Sequence, residues 1–441
     1  MAKGHTLAQL RSGELAGHRA LDLVSCGLTE FPREIFGLAD TLEVLNLSGN
    51  ALQSLPDDLG RLHRLRILFC SQNPFTELPV SLGTCPSLEM VGFKSCRIRE
   101  VPAKALPARL RWLILTDNAI ESLPEGWDRF PRLQKLMLAG NRLRALPEDM
   151  SACERLELLR ISANRFDALP QWLLQMPRLS WLACAGNPFS DAHEAAALSR
   201  QAVPVIDWSR LSLDERLGEG ASGVIHRGTW QRAAEGHEAV AVKLFKGAVT
   251  SDGWPHSEMA ACMAAGENAG LIAVHGRIAH HPEAVEALVL ALVPPHFRNL
   301  AGPPSFQSCT RDVYDAGAGW PLATALSMAR HVASAAAQLH ARGILHGDLY
   351  GHNILHDGAG QALLGDFGAA SFVGTGAQAP ALERIEVCAF GCLLEELPDR
   401  SNDAGEAALA PWRALQSRCL QHSVDLRPDF AEISAALSST G

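Results

Sequence analysis

No apolar run in this 441-residue chain approaches 18 residues, so no segment is long enough to cross a bilayer as a helix. The stretch from Met1 to Glu14 is polar and lacks the apolar core of a signal peptide. The eleven cysteines include no Cys-x-x-Cys pair and no zinc-type spacing. That argues against a disulfide framework or a structural metal, and for reduced, mostly buried thiols. A cytoplasmic location is expected, although an effector secreted without a cleavable signal would look the same. There is no basic run and the net charge is −9, so nucleic acid is not an expected partner. Lysine is scarce beside arginine and alanine, a usage that points to a GC-rich, bacterial genome. The chain has 47% hydrophobic residues, enough for two or three domains with full cores.

The first half repeats itself. The segment Leu42-Glu43-Val44-Leu45-Asn46-Leu47-Ser48-Gly49-Asn50 recurs from Leu65, Leu88, Leu110, Leu133, Leu156 and Leu179, after a degenerate copy at His18 to Cys26. The period is 23 residues, with one interval of 22 and one of 24. Cys26 and Cys96 take the slot that is otherwise asparagine, as small thiol donors. A proline follows six positions later in seven copies, from Pro32 to Pro170, and fixes φ for the convex-side segment. The eighth copy has His193 there instead, and the stretch from Asp191 to Val205 is expected to cap the array. This pattern resembles the leucine-rich repeat family, which implies an α/β solenoid (a horseshoe) over residues 15–205. Val44, Ile67, Met90, Trp112, Leu158 and Trp181, with Phe69, Ile114 and Met137 beside them, would form an apolar concave stripe. Such a stripe suits a protein substrate or regulator, or the chain's own second half.

The second half carries four elements in order. Gly218-Glu219-Gly220-Ala221-Ser222-Gly223 is a Gly-rich turn between two strand-like segments, where backbone N–H groups can approach phosphates. Val240-Ala241-Val242-Lys243 reads as a buried strand ending in a lysine that needs a carboxylate partner, Glu258 before Glu267. His346-Gly347-Asp348 precedes Asn353, and Asp366-Phe367-Gly368 follows. Together these supply a carboxylate for a hydroxyl and oxygen ligands for magnesium. Residues 208–438 resemble the eukaryotic-like protein kinases, which implies a two-lobed α+β fold using ATP and Mg2+ on a serine or threonine hydroxyl. By that resemblance Asp348 is the catalytic base, Lys243 binds the α- and β-phosphates, and Asn353 and Asp366 hold the metal. Leu217, Gly218, Gly220, Gly223, Val224 and Ala241 surround the nucleotide, and Arg427 pairs with Glu383.

The departures are specific. Gly347 stands where the family has an arginine that clamps a phosphorylated loop, and Tyr350 where it has a lysine on the γ-phosphate. His352 is the candidate to supply that charge. Glu386 replaces the aspartate that anchors the catalytic loop. The stretch from Asp366 to Glu383 is short, and an insertion from about Pro294 to Trp320 is expected beside the nucleotide pocket. With only Tyr314 and Tyr350 present, autophosphorylation on tyrosine has few targets. Two alternatives stay open: a catalytically weak nucleotide-binding scaffold, and a small-molecule phosphotransferase of the aminoglycoside or choline type.

Overall fold

Each repeat places its leucines inward on a three-residue parallel strand and turns back through a short 3-10 segment. In the computed structural model, which describes residues 4–200, 203–232, 236–401 and 405–439, a capped helix α1 (Leu7–Ser12) comes first. It is followed by strands β1 (Ala20–Asp22), β2 (Val44–Asn46), β3 (Ile67–Phe69), β4 (Met90–Gly92), β5 (Trp112–Ile114), β6 (Lys135–Met137) and β7 (Leu158–Arg160). Neighbours pair in parallel and in repeat register, for example Leu45 with Leu68 and Leu68 with Val91. The inward leucines Leu45, Leu68, Leu113, Leu136 and Leu159 are fully buried. Pro32, Pro79, Pro102 and Pro147 each sit just before a 3-10 turn, where a fixed φ starts the turn.

The asparagines form a ladder. Asn141 Nδ2 donates to Leu115 O and Leu138 O, both at 2.9 Å, and its Oδ1 accepts from Ile120 N at 3.1 Å. Cys96 Sγ donates to Cys70 O and Lys94 O, at 3.5 and 3.6 Å. The thiol therefore serves the donor half of the slot. Truncating such an asparagine leaves buried backbone groups unpaired, at about 1–3 kcal/mol each. Asn118→Ala and Asn141→Ala are expected to lower the melting temperature. Asn187 is fully buried and donates to Ile161 O and Cys184 O, so its loss should cost as much as theirs, although it lies near the cap. Melting curves indistinguishable from wild type would sink the ladder.

The expected open apolar stripe is largely closed. Met90, Leu158, Trp181, Ile67 and Met137 are all buried, and Phe69 lies over Gly92. Val44, Phe69, Trp112 and Ile114 stay half-buried, with Lys135 Nζ 4.3 Å from the Trp112 ring.

The chain forms two compact units, and they do not divide at the end of the repeats. The first runs to Arg160 and includes Asn164–Leu173; the second comprises Ile161–Ala163 and everything from Leu174 onward. The last repeat strand, β8 (Trp181–Ala183), thus belongs to the second unit, where Ile161 N bonds Ala183 O and Ala163 N bonds Ala185 O. The helix α2 (Pro188–Arg200) follows, beginning immediately after Asn187, where the proline rhythm stops. It covers most of the expected cap, of which residues 201–202 lie outside the described ones.

The second unit has a six-stranded sheet in the order β10-β11-β12-β14-β13-β9. These strands are β9 (Val205–Asp207), β10 (Leu211–Glu219), β11 (Gly223–Arg232), β12 (Gly236–Phe245), β13 (Val274–Ala279) and β14 (Ala287–Ala291). β9, which joins the end of the repeats to the second half, is therefore an edge strand, parallel to β13. Its Ile206 joins Val240, Val242, Ile278 and Val289 in one buried cluster. Helix α3 (Pro255–Ala265) lies between β12 and β13 in sequence. A mostly helical part follows: β15 (Arg298–Asn299), α4 (Leu322–Ala341), β16 (Ile344–Leu345), β17 (Ile354–His356), β18 (Ala362–Leu364), β19 (Ser371–Phe372), α5 (Ala379–Glu396), α6 (Glu406–Cys419) and α7 (Phe430–Ser439). Only residues 373–378 separate β19 from α5, within the short stretch from Asp366 to Glu383. Gly391 lets α5 approach α6, since a Cβ there would stand 2.8 Å from Leu420.

Candidate active site

The Gly-rich turn joins β10 to β11 and is closed by Gly220 N on Gly223 O at 2.9 Å. Lys246 braces it, with Nζ 2.7 Å from Glu219 Oε1 and 3.0 Å from Gly220 O. Gly223 has a steric reason to be glycine: a Cβ would lie 2.5 Å from Leu244 O. At Gly218 and Gly220 a Cβ would meet open space, and Leu217 beside them is exposed. Backbone N–H groups at such a turn are open to an anion.

Register decides which side chains face the cavity beneath. Ile225 pairs with Lys243 and Val224 with Leu244 in the antiparallel ladder. Directly opposed residues point to one face, and successive ones alternate. Val224 therefore turns away from the face that carries Lys243 and Ala241, contrary to its expected place on the nucleotide. Ile225 takes that position and lines the cavity with Lys243, Asp366 and Gly368. The strand alternation around Lys243 contained this signal.

Lys243 Nζ makes an ion pair with Glu258 on α3, not with Glu267. Glu258 is almost fully buried. Burial works against the charge on Lys243, but Glu258 outweighs it and raises the ammonium pKa, so the lysine stays charged.

The catalytic-loop residues converge through backbone bonds. His346 is fully buried; its Nε2 faces Gly365 O at 2.9 Å, and its Nδ1 takes the N–H of Asp348 at 3.3 Å. Asn353 Nδ2 donates to Asp348 O and Asp348 Oδ2, at 2.9 and 2.8 Å. That fixes the Asp348 carboxylate and leaves Asn353 Oδ1 as the oxygen end of the amide. Asp366 has φ 52° and accepts Gly368 N on Oδ1 at 3.1 Å, in a turn with an exposed carboxylate.

Among the described residues no group of three His, Cys, Asp or Glu side chains forms a protein-only metal cage. Magnesium beside phosphates needs only one or two protein oxygens. Asn353 and Asp366 fit that role.

Glu386 replaces the anchoring aspartate and performs the anchoring geometry. Its carboxylate accepts Gly347 N at 2.6 Å, His346 N at 3.2 Å and His340 Nε2 at 2.6 Å. Burial opposes its charge, but these donors outweigh it and hold the carboxyl below its ordinary range. Gly347 follows from its surroundings. Its φ is +73°, and a Cβ would stand 2.6 Å from both Leu182 O and Ala369 O. No arginine can occupy that position.

Arg427 is buried and does not take Glu383 as its partner; its guanidinium donates to the carbonyls of Gln421, Arg384 and Pro177. Glu383 lies 3.9 Å from His340 instead. The insertion packs against the segment around His352, where Asn299 Nδ2 donates to His352 O. Asp312, its side chain fully buried, accepts His352 N at 3.1 Å and pairs with His352 Nδ1 at 2.7 Å. Arg311 and Tyr314 tie the same segment to Glu395 and Glu396 at the end of α5.

Comparison with known proteins agrees with this geometry. The model of a protein tyrosine and serine/threonine kinase matches residues 211–384, and that of a leucine-rich repeat matches residues 19–75 and 108–166. The chain carries leucine-rich repeats followed by a protein kinase domain. Among similar proteins is the probable inactive serine/threonine-protein kinase roco10 of Dictyostelium discoideum, 34% identical over 119 residues, which are 26% of this chain and 4% of that protein. Leucine-rich repeat-containing protein 7 of Rattus norvegicus is 35% identical over 69 residues, 16% of this chain and 5% of the relative. The chain thus spans only a small part of the length of these curated relatives. No helix among the described residues is long and apolar enough to cross a membrane.

Proposed function

We propose that the kinase domain is active and transfers the γ-phosphoryl group of ATP to serine or threonine hydroxyls of a protein, and that the repeats bind that protein or a regulator. The observation that carries this reading is the buried Lys243–Glu258 pair facing the same cavity as Asp366. Bound Mg-ATP supplies the phosphoryl group and the metal charge. Lys243 holds the α- and β-phosphates, the Gly-rich turn covers them, and Asn353 and Asp366 offer oxygens to the metal. Asp348, oriented by Asn353, takes the hydroxyl proton. Trp112, half-buried on the concave side, is the best-placed aromatic anchor for a protein partner.

The test is incubation with labelled ATP, magnesium and mixed protein substrates, followed by phosphoamino-acid analysis. Label on serine or threonine is expected. Label on tyrosine or on a small alcohol would redirect the reading. No transfer would favour the nucleotide-binding scaffold, which Tyr350 in the lysine position and the name of the roco10 relative both motivate.

His352 is proposed to provide the charge that the missing lysine would bring. Burial disfavours its charged form, but the hydrogen bond and charge of Asp312, with Asp348 and Asp366 behind, raise its pKa above the ordinary 6.5. The raised value means that His352 is protonated below that pKa and loses its charge as pH rises through it. Turnover is expected to fall along that limb. His352→Ala should cost roughly 10²–10³ in rate, as for loss of one transition-state donor. Asp312→Asn removes the carboxylate that raises the pKa, so the fall should move to lower pH. A pH–rate profile identical in Asp312→Asn and wild type would remove this role.

A further inference from the structure

The last repeat strand reaches the catalytic loop within one compact unit, and it does so at the residues that follow Asp348. Trp181 is 1% exposed. Its Nε1–H donates to Leu349 O at 3.0 Å, the carbonyl next after Asp348. Its ring lies flat on Tyr350, with centroids 4.2 Å apart and planes 7° from parallel. Tyr350 in turn meets His352, centroids 4.9 Å apart. Three neighbouring contacts run the same way. Cys184 N donates to Ser371 Oγ at 2.9 Å, Arg427 Nη2 donates to Pro177 O at 2.6 Å, and Leu182 O occupies the space above Gly347.

These contacts explain several departures of the sequence at once. An arginine at position 347 has no room because Leu182 is there. The stretch between β19 and α5 is short, and the edge it leaves at Ser371 is bonded by Cys184.

We propose that Trp181, a residue of the last leucine-rich repeat, is a positioning residue for phosphoryl transfer. It clamps the Leu349–Tyr350 peptide from outside and so sets where the Asp348 carboxylate and the His352 ring stand. The terminal repeat is then a fixed part of the catalytic apparatus, and loop phosphorylation is not needed to order it. The inference rests on the kinase reading for its activity arm only.

The test compares Trp181→Phe, which keeps a flat ring, with Trp181→Met, which keeps bulk without a plane. The Met variant is expected to lose about 10- to 100-fold in kcat with KM for ATP unchanged, as for a small displacement of a reacting group. The Phe variant should stay within about threefold of wild type, since stacking is retained. Tyr350→Leu removes the same stack from the loop side and should reproduce the Met result. Hydrogen exchange of the amides of residues 347–353 should speed up by about tenfold in the Met and Leu variants, because local opening becomes easier.

Exchange is read whether or not the wild type transfers phosphate, so failure of the kinase reading is seen separately. Wild-type kcat in the Met variant overturns the proposal, as does wild-type turnover in Tyr350→Leu. A loss that appears as a raised KM for ATP with unchanged loop exchange also overturns it.

Discussion

Asp348→Asn is expected to reduce phosphoryl transfer by roughly 10²–10⁴, the usual contribution of a positioned general base. ATP binding should be almost unchanged. The reason lies in how the side chain is held. Asn353 Nδ2 donates to one carboxylate oxygen of Asp348 and to the backbone carbonyl of Asp348, so an isosteric amide can keep the loop in place while losing the basic oxygen. Asp366 should behave in the opposite way. It lines the nucleotide cavity, and Asp366→Asn is expected to lose magnesium-dependent ATP binding. Nucleotide titrations with and without magnesium, beside single-turnover rates, separate the two. An Asp348→Asn protein with most of its turnover would show that Asp348 is not the base.

The second large effect is on stability. Glu386→Ala should destabilise the kinase domain by about 1–3 kcal/mol for each buried donor that it leaves unpaired. The carboxylate is 2% exposed and receives two backbone N–H groups and His340. Alanine would leave all three donors without an acceptor in the interior. The carboxyl pKa is held below its ordinary range, so its stabilising contribution is full above that range and is lost as pH falls through the lowered value. A domain of this size should show a melting temperature lower by roughly 2–4 °C per kcal/mol. Glu386→Asp, the residue the resemblance leads one to expect, should lose less if a carboxylate at this point is what matters. Equal melting temperatures for wild type and Glu386→Ala would mean that the loop is anchored elsewhere.

Asp348, Asp366 and Glu386 all stand in recognisable motif positions, but their partners are legible in the sequence to different degrees. Asp348, Asn353 and Asp366 share one region because a turn and a short hairpin, β17 to β18, connect them over few residues. Short connections leave the chain little choice, so their spacing is informative. Lys243 and Glu258 are further apart, but a buried lysine demands a carboxylate, and Glu258 is the one that α3 offers. The Val224 assignment failed for a local reason: a one-residue difference in a strand exchanges the two faces. Ile225, one position on, is the residue that faces Lys243.

Sequence alone determined the repeats, because a 23-residue period with leucines and asparagines in fixed slots has one economical solution. It also determined the order of the kinase motifs, because each is a short segment whose backbone needs those residue types. Only the tertiary structure decided what these pieces rest on. Trp181 looked like one more member of a concave stripe, yet it stacks on Tyr350, far along the chain. Arg427 looked like half of a salt bridge, yet it bonds three carbonyls. Asp312 sat in an insertion with no assigned role, yet it holds His352. Such pairings are set by which surfaces meet after folding, and one aromatic, guanidinium or carboxylate can satisfy many partners. Spacing along the chain carries no record of that choice.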